Sequence, residues 1–346
     1  MTKNMVGTAT RVVGERDLSI DAARGVALFL VVLSHTCQVP HCFCDFFIIA
    51  FFFLSGYLYK PGKSYGCNVK KKAKRVLIPY FANSLALLAI SALIDSYSAK
   101  TLKLAVFGVL YSRFSMGNLV LMFSHNAPLW YLTAFFATSL LFHVVVDYFS
   151  NTWERTALLF VMFETATIAL FSVPILLPWS LDMAPLFCTA MMVGYLFKKH
   201  GINFDFGWGV TAVILVGYMA LCYSTGRINL SIRDLGNDAS GGLNVLALGV
   251  CGTVACVSLC KERCFRPFER FFVSIGTNTI VVLCYHLIFF DLGKFLYGIA
   301  LGTYVGGSFN STFLFSFIIA ILSVFCCLAL GYIVDFVKNK FNQYVQ

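Results

Sequence analysis

Apolar residues run through this chain in stretches long enough to cross a bilayer, and these recur with short polar breaks from residue 18 to residue 337. An α-helical span needs roughly 20 mostly apolar residues. On that measure the pattern predicts spans at 18 to 38, 44 to 60, 76 to 96, 128 to 149, 156 to 177, 183 to 198, 208 to 225, 242 to 260, 273 to 290 and 311 to 335. Two other apolar stretches do not read as spans. Residues 101 to 127 carry Lys103 and Arg113 and are expected as an interfacial or re-entrant piece; the Gly-rich stretch 291 to 310 is expected at the outer surface. The predicted fold is all-α: a polytopic integral membrane helical bundle of about ten transmembrane helices. An N-terminal segment over 1–17, one membrane domain over 18–337 and a tail over 338–346 make up the chain.

Composition supports this class. With 59% hydrophobic and 12% charged residues and a mean hydropathy of +0.80, the chain is far more apolar than a soluble domain. Lysine and arginine bias sets orientation. Lys60, Lys63, Lys70, Lys71, Lys72, Lys74 and Arg75 fill one loop that holds no Asp or Glu, so that loop is expected in the cytoplasm. Lys3, Arg11 and Arg16 put the N-terminus there too, and an even number of spans returns Lys338 and Lys340 to the same side. Were 101 to 127 to cross, nine later cations would move outside and only Arg227, Arg233 and Lys294 inside, which the orientation rule disfavours. The net charge of +10 is accounted for by loops facing anionic lipid, so nucleic acid is not an expected partner. The first apolar run lacks a clear cleavage site and is read as a retained span. Thirteen cysteines are scattered, and Cys37, Cys42 and Cys44 cluster in an expected outer loop where an oxidising compartment could join two of them. No Cys-x-x-Cys or HExxH pattern points to a metal.

Three ionisable residues, Asp21, Arg24 and His35, lie in or beside the first span. Charged groups there cost a few kcal/mol or more and mark function by default. Eleven residues at roughly 100° each bring Arg24 and His35 to nearly one helical face, about 16 Å apart. A histidine in a protein-lined cavity suits a general base, and arginine suits a phosphate. Asp21, three residues before Arg24, either neutralises it or acts with it. His35, His41, His125 and His286 fall at one level, toward the outside. His41 and His125 read as amphipathic side chains at the headgroup boundary, whereas His35 and His286 lie within spans, and Thr279 shares the His286 face. Ser34 is a weaker candidate nucleophile, because adjacent helical residues point about 100° apart. The basic run from Lys60 to Arg75 reads both as a topology signal and as a phosphate-binding surface.

These residues carry a resemblance. Asp21-x-x-Arg24-Gly25 followed by Ser34-His35 resembles the signature of the acyltransferase type 3 family, integral membrane O-acyltransferases of cell-surface glycans. Phe52 to Tyr57 resemble its FF-x-SGY block, and Lys72, Lys74, Arg75, Pro79 and Tyr80 its basic stretch. Leu129 to Leu132 resemble its LWFL block, and Ser274, Gly276, Thr279, Tyr285 and His286 its late block. Many relatives, especially those resembling fucose acetylases, have His-Met-Pro where this chain has Phe47, Ile48 and Ile49, which leaves the acceptor open. The resemblance implies transfer of an acyl group, usually acetyl from acetyl-CoA, to a hydroxyl of a surface polysaccharide or its lipid-linked precursor, in a bacterial inner membrane. It implies no permanently bound cofactor. In that reading His35 and His286 are catalytic, Arg24, Lys72, Lys74 and Arg75 bind the donor, and Asp21, Ser55, Trp130 and Tyr285 support them. Homo-oligomers and glycan-assembly partners stay open. The competing class is a polytopic transporter or flippase, in which the same ionisable residues would line a pathway.

Overall fold

The structure of the protein, a computed structural model, describes residues 17–37, 39–62, 64–113, 115–116, 119–121, 124–149, 152–234, 242–300 and 313–345. The remainder of the expected N-terminal segment, Lys63, positions 301 to 310 of the Gly-rich stretch and the last residue of the tail lie outside the described residues. Helix α1 (Leu18–Thr36) begins where the Asp17 side chain accepts from the Ser19 N–H at 3.0 Å. Then follow α2 (Phe47–Tyr57), α3 (Tyr65–Lys72), α4 (Ile78–Ile94) and α5 (Ala99–Tyr111). Two short strands, β1 (Ser115–Met116) and β2 (Leu119–Val120), form a hairpin. The rest are α6 (Trp130–Phe149), α7 (Trp153–Phe171), α8 (Ala184–Lys199), α9 (Gly207–Thr225), α10 (Leu243–Lys261), α11 (Arg266–Thr277), α12 (Thr279–Ala300) and α13 (Phe313–Val345).

Every expected span is occupied by helix, and eight helices among the described residues are long and apolar enough to cross a bilayer. Two expected spans are not among the eight. At 44 to 60 the helix is α2, eleven residues, about 16 Å against a hydrocarbon core of about 30 Å. At 156 to 177 it is α7, nineteen residues long but carrying Glu154, Arg155 and Glu164. The expected span 273 to 290 is broken at Asn278, where α11 ends and α12 starts, so the crossing helix runs later, Thr279–Gly298.

The basic loop is also a correction. Ser64 caps α3 through the Cys67 N–H, and the helix continues through a π turn, Ala73–Leu77, into α4. Lysines are good helix formers and nothing breaks the run before Pro79. Residues 101 to 127 do not form a span: α5 is thirteen residues, about 20 Å, and Ser112 ends it at φ 54. The stretch from 291 begins as the last turns of α12, which runs to Ala300.

Helix α1 is central, touching α2, α10, α11, α12 and α13. Its crossing with α11 brings backbone onto backbone. A Cβ on Gly25 would lie 1.9 Å from the Phe272 carbonyl oxygen, and one on Gly276 2.0 Å from that of Asp21. The α2–α8 crossing repeats this at Gly56 and Gly194, each 2.0 Å from a facing carbonyl oxygen. In lipid, where helix association depends on close packing rather than on water, small residues allow such approach. Gly25, Gly56 and Gly276, from three of the sequence blocks, thus set the position of α1 and α2.

Candidate active site

His35, in the last turn of α1, meets His286 of α12. His35 Nδ1 lies 3.1 Å from His286 Nε2, and the rings stack at 14° with centroids 5.4 Å apart. His286 is fully buried, and its Nδ1 lies 2.9 Å from the Val282 carbonyl and 3.1 Å from that of Leu283. Carbonyls only accept, so His286 Nδ1 carries the hydrogen. In neutral His286 the Nε2 then accepts, and the hydrogen between the rings belongs to His35 Nδ1. His35 Nε2 is left with a lone pair, on a ring exposed to a cavity that it helps to line.

That cavity has a volume of about 810 Å³, and a second of about 390 Å³ lies beside it. Phe51, Tyr131 and Thr279 line both, so the two adjoin across these three side chains, the waist between them. Among the described residues, the smaller one is lined by five cations, Arg24, Lys60, Lys71, Lys72 and Arg75, and by no Asp or Glu. Such a wall attracts polyanions. The π turn follows Lys72 and contains Arg75, and both side chains reach this wall. Lys72 Nζ lies 3.4 Å from Ser139 Oγ and 4.4 Å over the Phe135 ring.

The larger cavity has a mixed polar wall that includes His41, Asp45, Trp130, Arg227, Asn229 and Ser231. Its frame is a buried charge network. Arg113, fully buried, donates to Asp182 Oδ2 at 2.9 Å and Ser180 Oγ at 3.0 Å. Arg233 Nε reaches the same Asp182 oxygen at 3.2 Å, while its other nitrogens donate to the Leu170 and Val173 carbonyls at 2.8 and 2.7 Å. Burial lowers the Arg113 pKa, and the Asp182 carboxylate opposes that shift. The arginine stands 5.8 Å from the Trp130 ring centre, behind the cavity wall.

The structure brings most of the expected residues to these cavities. His35 and Trp130 line the larger one; Arg24, Ser55, Lys72 and Arg75 line the smaller. Lys74 is exposed and lines neither, and His286 stands behind His35. The Tyr285 hydroxyl donates to Asn83 Oδ1 at 2.5 Å, tying α12 to α4. Asp21 lies 4.0 Å from Arg24, the limit of an ion pair, and the guanidinium remains about one third exposed. Ser34 Oγ donates to the Val31 carbonyl at 2.8 Å. His125 is buried, between Ser91 Oγ at 3.1 Å and Asp291 Oδ2 at 3.2 Å. His41 pairs with Asp45 at 2.6 Å, and Cys37, Cys42 and Cys44 are unbridged.

Sequence reasoning missed Asp45, Tyr131 and His143 as site residues. Asp45 had one signal, its position four residues after His41, which on a helical turn brings the two together. Tyr131 stands where the LWFL block has phenylalanine. His143, in the wall of the smaller cavity with Tyr65 stacked on it at 17° and the Tyr59 hydroxyl hydrogen-bonded to it, had none.

Comparison with known families matches residues 17–332 to the Acyltransferase domain. No curated protein and no solved structure matches the chain. The matched region runs from the residue that caps α1 to the last helix and encloses both cavities and the histidine pair. This chain therefore belongs to the acyltransferase type 3 family and is a multi-pass integral membrane acyltransferase.

Proposed function

We propose that the protein moves an acyl group, acetyl in the simplest form, from acyl-CoA to a hydroxyl of a cell-surface polysaccharide or its lipid-linked precursor. The observation that carries this reading is the waist: a cationic cavity and a cavity containing His35 share Phe51, Tyr131 and Thr279. The phosphates of CoA suit Arg24, Lys72, Arg75 and their neighbours, and the pantetheine arm would pass the waist to bring its thioester to His35. The positive-inside bias supports placing the cationic cavity on the cytoplasmic side, where acyl-CoA is found, with both termini on that side. A glycan acceptor then reaches His35 from the other face, which suits a bacterial cytoplasmic membrane.

In the reaction His35 Nε2 takes the acceptor hydroxyl proton as the oxygen attacks the thioester carbonyl. The tetrahedral intermediate collapses with cleavage of the C–S bond, and the proton passes from Nε2 to the departing thiolate. Ester and free CoA are the products. The Nδ1 hydrogen bond to His286 holds the imidazole in the tautomer this step requires.

The test uses purified protein in detergent with acetyl-CoA and polysaccharide from cells that lack the protein. Release of CoA that depends on polysaccharide is expected, with the acetyl increment found by mass on the glycan. His35→Ala should lower kcat by roughly 10²- to 10⁴-fold, the range of general base catalysis. Full activity in that variant would remove His35 from the role of base.

A further inference from the structure

Asn68 and His143 lie in the wall of the smaller cavity, and the reaction above gives them no part. Helix α6 sets their place in it. Tyr131, Phe135, Ser139 and His143 follow at intervals of four, each one turn beyond the last, and all four line the cavity. Tyr131 stands at the waist. Lys72 rests on the next two, over the Phe135 ring and against Ser139 Oγ. His143 comes last, about 18 Å of helical rise from Tyr131. Around it the wall changes character. Tyr65 stacks on the imidazole with centroids 5.6 Å apart, and the Tyr59 hydroxyl is hydrogen-bonded to Nδ1. Asn68 Nδ2 lies 3.2 Å from Nδ1 and 3.1 Å from Nε2. A neutral imidazole has one acceptor nitrogen, so the ring holds the amide nitrogen of Asn68 toward itself. No described residue donates to Asn68 Oδ1, and the side chain is only half-buried.

We propose that Tyr59, Asn68 and His143 form a nucleobase subsite that takes the adenine of the acyl donor. An acyl-CoA carries its thioester arm, its diphosphate and its adenosine in that order. The α6 wall offers the waist, Lys72 and this cluster in the same order. Adenine presents the N6 amino donor beside the N7 acceptor, a pair that an asparagine amide meets with its oxygen and its nitrogen. Tyr59 supplies an aromatic surface for the base, and His143 fixes which way the amide points. The cluster selects the donor by its base and takes no part at the thioester. The inference rests on the acyl-CoA reading above.

Binding to purified protein in detergent is measured by calorimetry with three ligands: acetyl-CoA, acetyl-4′-phosphopantetheine, which has no nucleotide, and acetyl-CoA with its adenine deaminated to hypoxanthine. Hypoxanthine puts a carbonyl oxygen where adenine has its amino group. The wild type should bind it about ten-fold or more weakly than the adenine form, the worth of a two-point base contact. Asn68→Ala should weaken acetyl-CoA by a similar factor, erase the preference for adenine and leave acetyl-phosphopantetheine within about two-fold. His143→Ala, which frees the amide to turn over, should shrink the preference. Equal binding of the two bases by the wild type overturns the proposal, and that measurement needs no variant to fold. Equal losses for all three ligands in Asn68→Ala also overturn it, since the residue would then shape the cavity without reading the base. If the wild type binds none of the three, the acyl-CoA reading falls and this inference with it; acetyl-CoA binding that ignores the base sinks this inference alone.

Discussion

At the scale of single residues, the histidine pair divides its labour by hydrogen-bond arithmetic. His286 spends its Nδ1 hydrogen on two backbone carbonyls and so can only accept from His35. In the proposed reaction it is a positioning residue. Removing it in His286→Ala lets His35 adopt the other tautomer, in which Nε2 bears a hydrogen and is no base. We expect kcat to fall by up to about 10²-fold, as for a misplaced catalytic group, with the acetyl-CoA KM unchanged. His286→Gln, whose amide oxygen accepts from Nδ1, should recover part of the loss. In the wild type kcat should rise with pH to a plateau, because protonated His35 cannot take the acceptor proton, and His286→Ala should displace that rise. Equal losses and unmoved pH profiles in the two variants would reject the tautomer relay. The stripe of Arg24 and His35 was legible in the sequence because charge in a span is expensive enough to stand out. Asp45 was not, because a carboxylate in a short polar break looks ordinary until folding buries it against His41.

At the scale of elements, two helix crossings hold the site. Gly25 and Gly276 let α1 and α11 touch through their backbones, and the register of that contact fixes the height of Arg24 and His35 on the molecule. Gly25→Ala places a methyl group where only 1.9 Å separates the Cβ from the Phe272 carbonyl oxygen. The helices must part, at a cost typical of overpacking, about 1–3 kcal/mol. Thermal denaturation in detergent should show the lowered midpoint, and a wild-type midpoint would mean that the crossing relaxes without strain. Hydropathy located these helices well, since lipid obliges each segment to satisfy its own backbone hydrogen bonds. It located their ends less well. The break at Asn278, the entry of the basic run into α3 and the shortness of α2 depend on caps, a π turn and tertiary neighbours, none of which alters mean hydropathy.

At the scale of the whole molecule, two cavities adjoin at the waist. Phe51 comes from α2, Tyr131 from α6 and Thr279 from α12, so three distant parts of the chain build it. Tyr131→Trp enlarges the side chain at that point. Transfer should drop by roughly ten-fold or more, since a thioester held short of His35 is out of attack geometry, while the acetyl-CoA Kd measured by calorimetry stays within about three-fold. A variant that transferred at the wild-type rate would show that the acyl group does not pass the waist. The Arg113, Asp182 and Arg233 network acts at the same scale, joining the loop after α9 to the start of α8 and the end of α7 around the larger cavity.

By itself the sequence determined the class, the approximate helices, the basic cluster and the costly stripe on α1, because the bilayer penalises polar groups strongly enough to leave a record in composition and spacing. Only the tertiary structure decided that His35 Nδ1 faces His286 Nε2, that Asp45 is buried against His41 and that two cavities adjoin at Tyr131. Those are relations between segments up to 251 positions apart, set by how helices pack, and no local pattern of hydropathy encodes them.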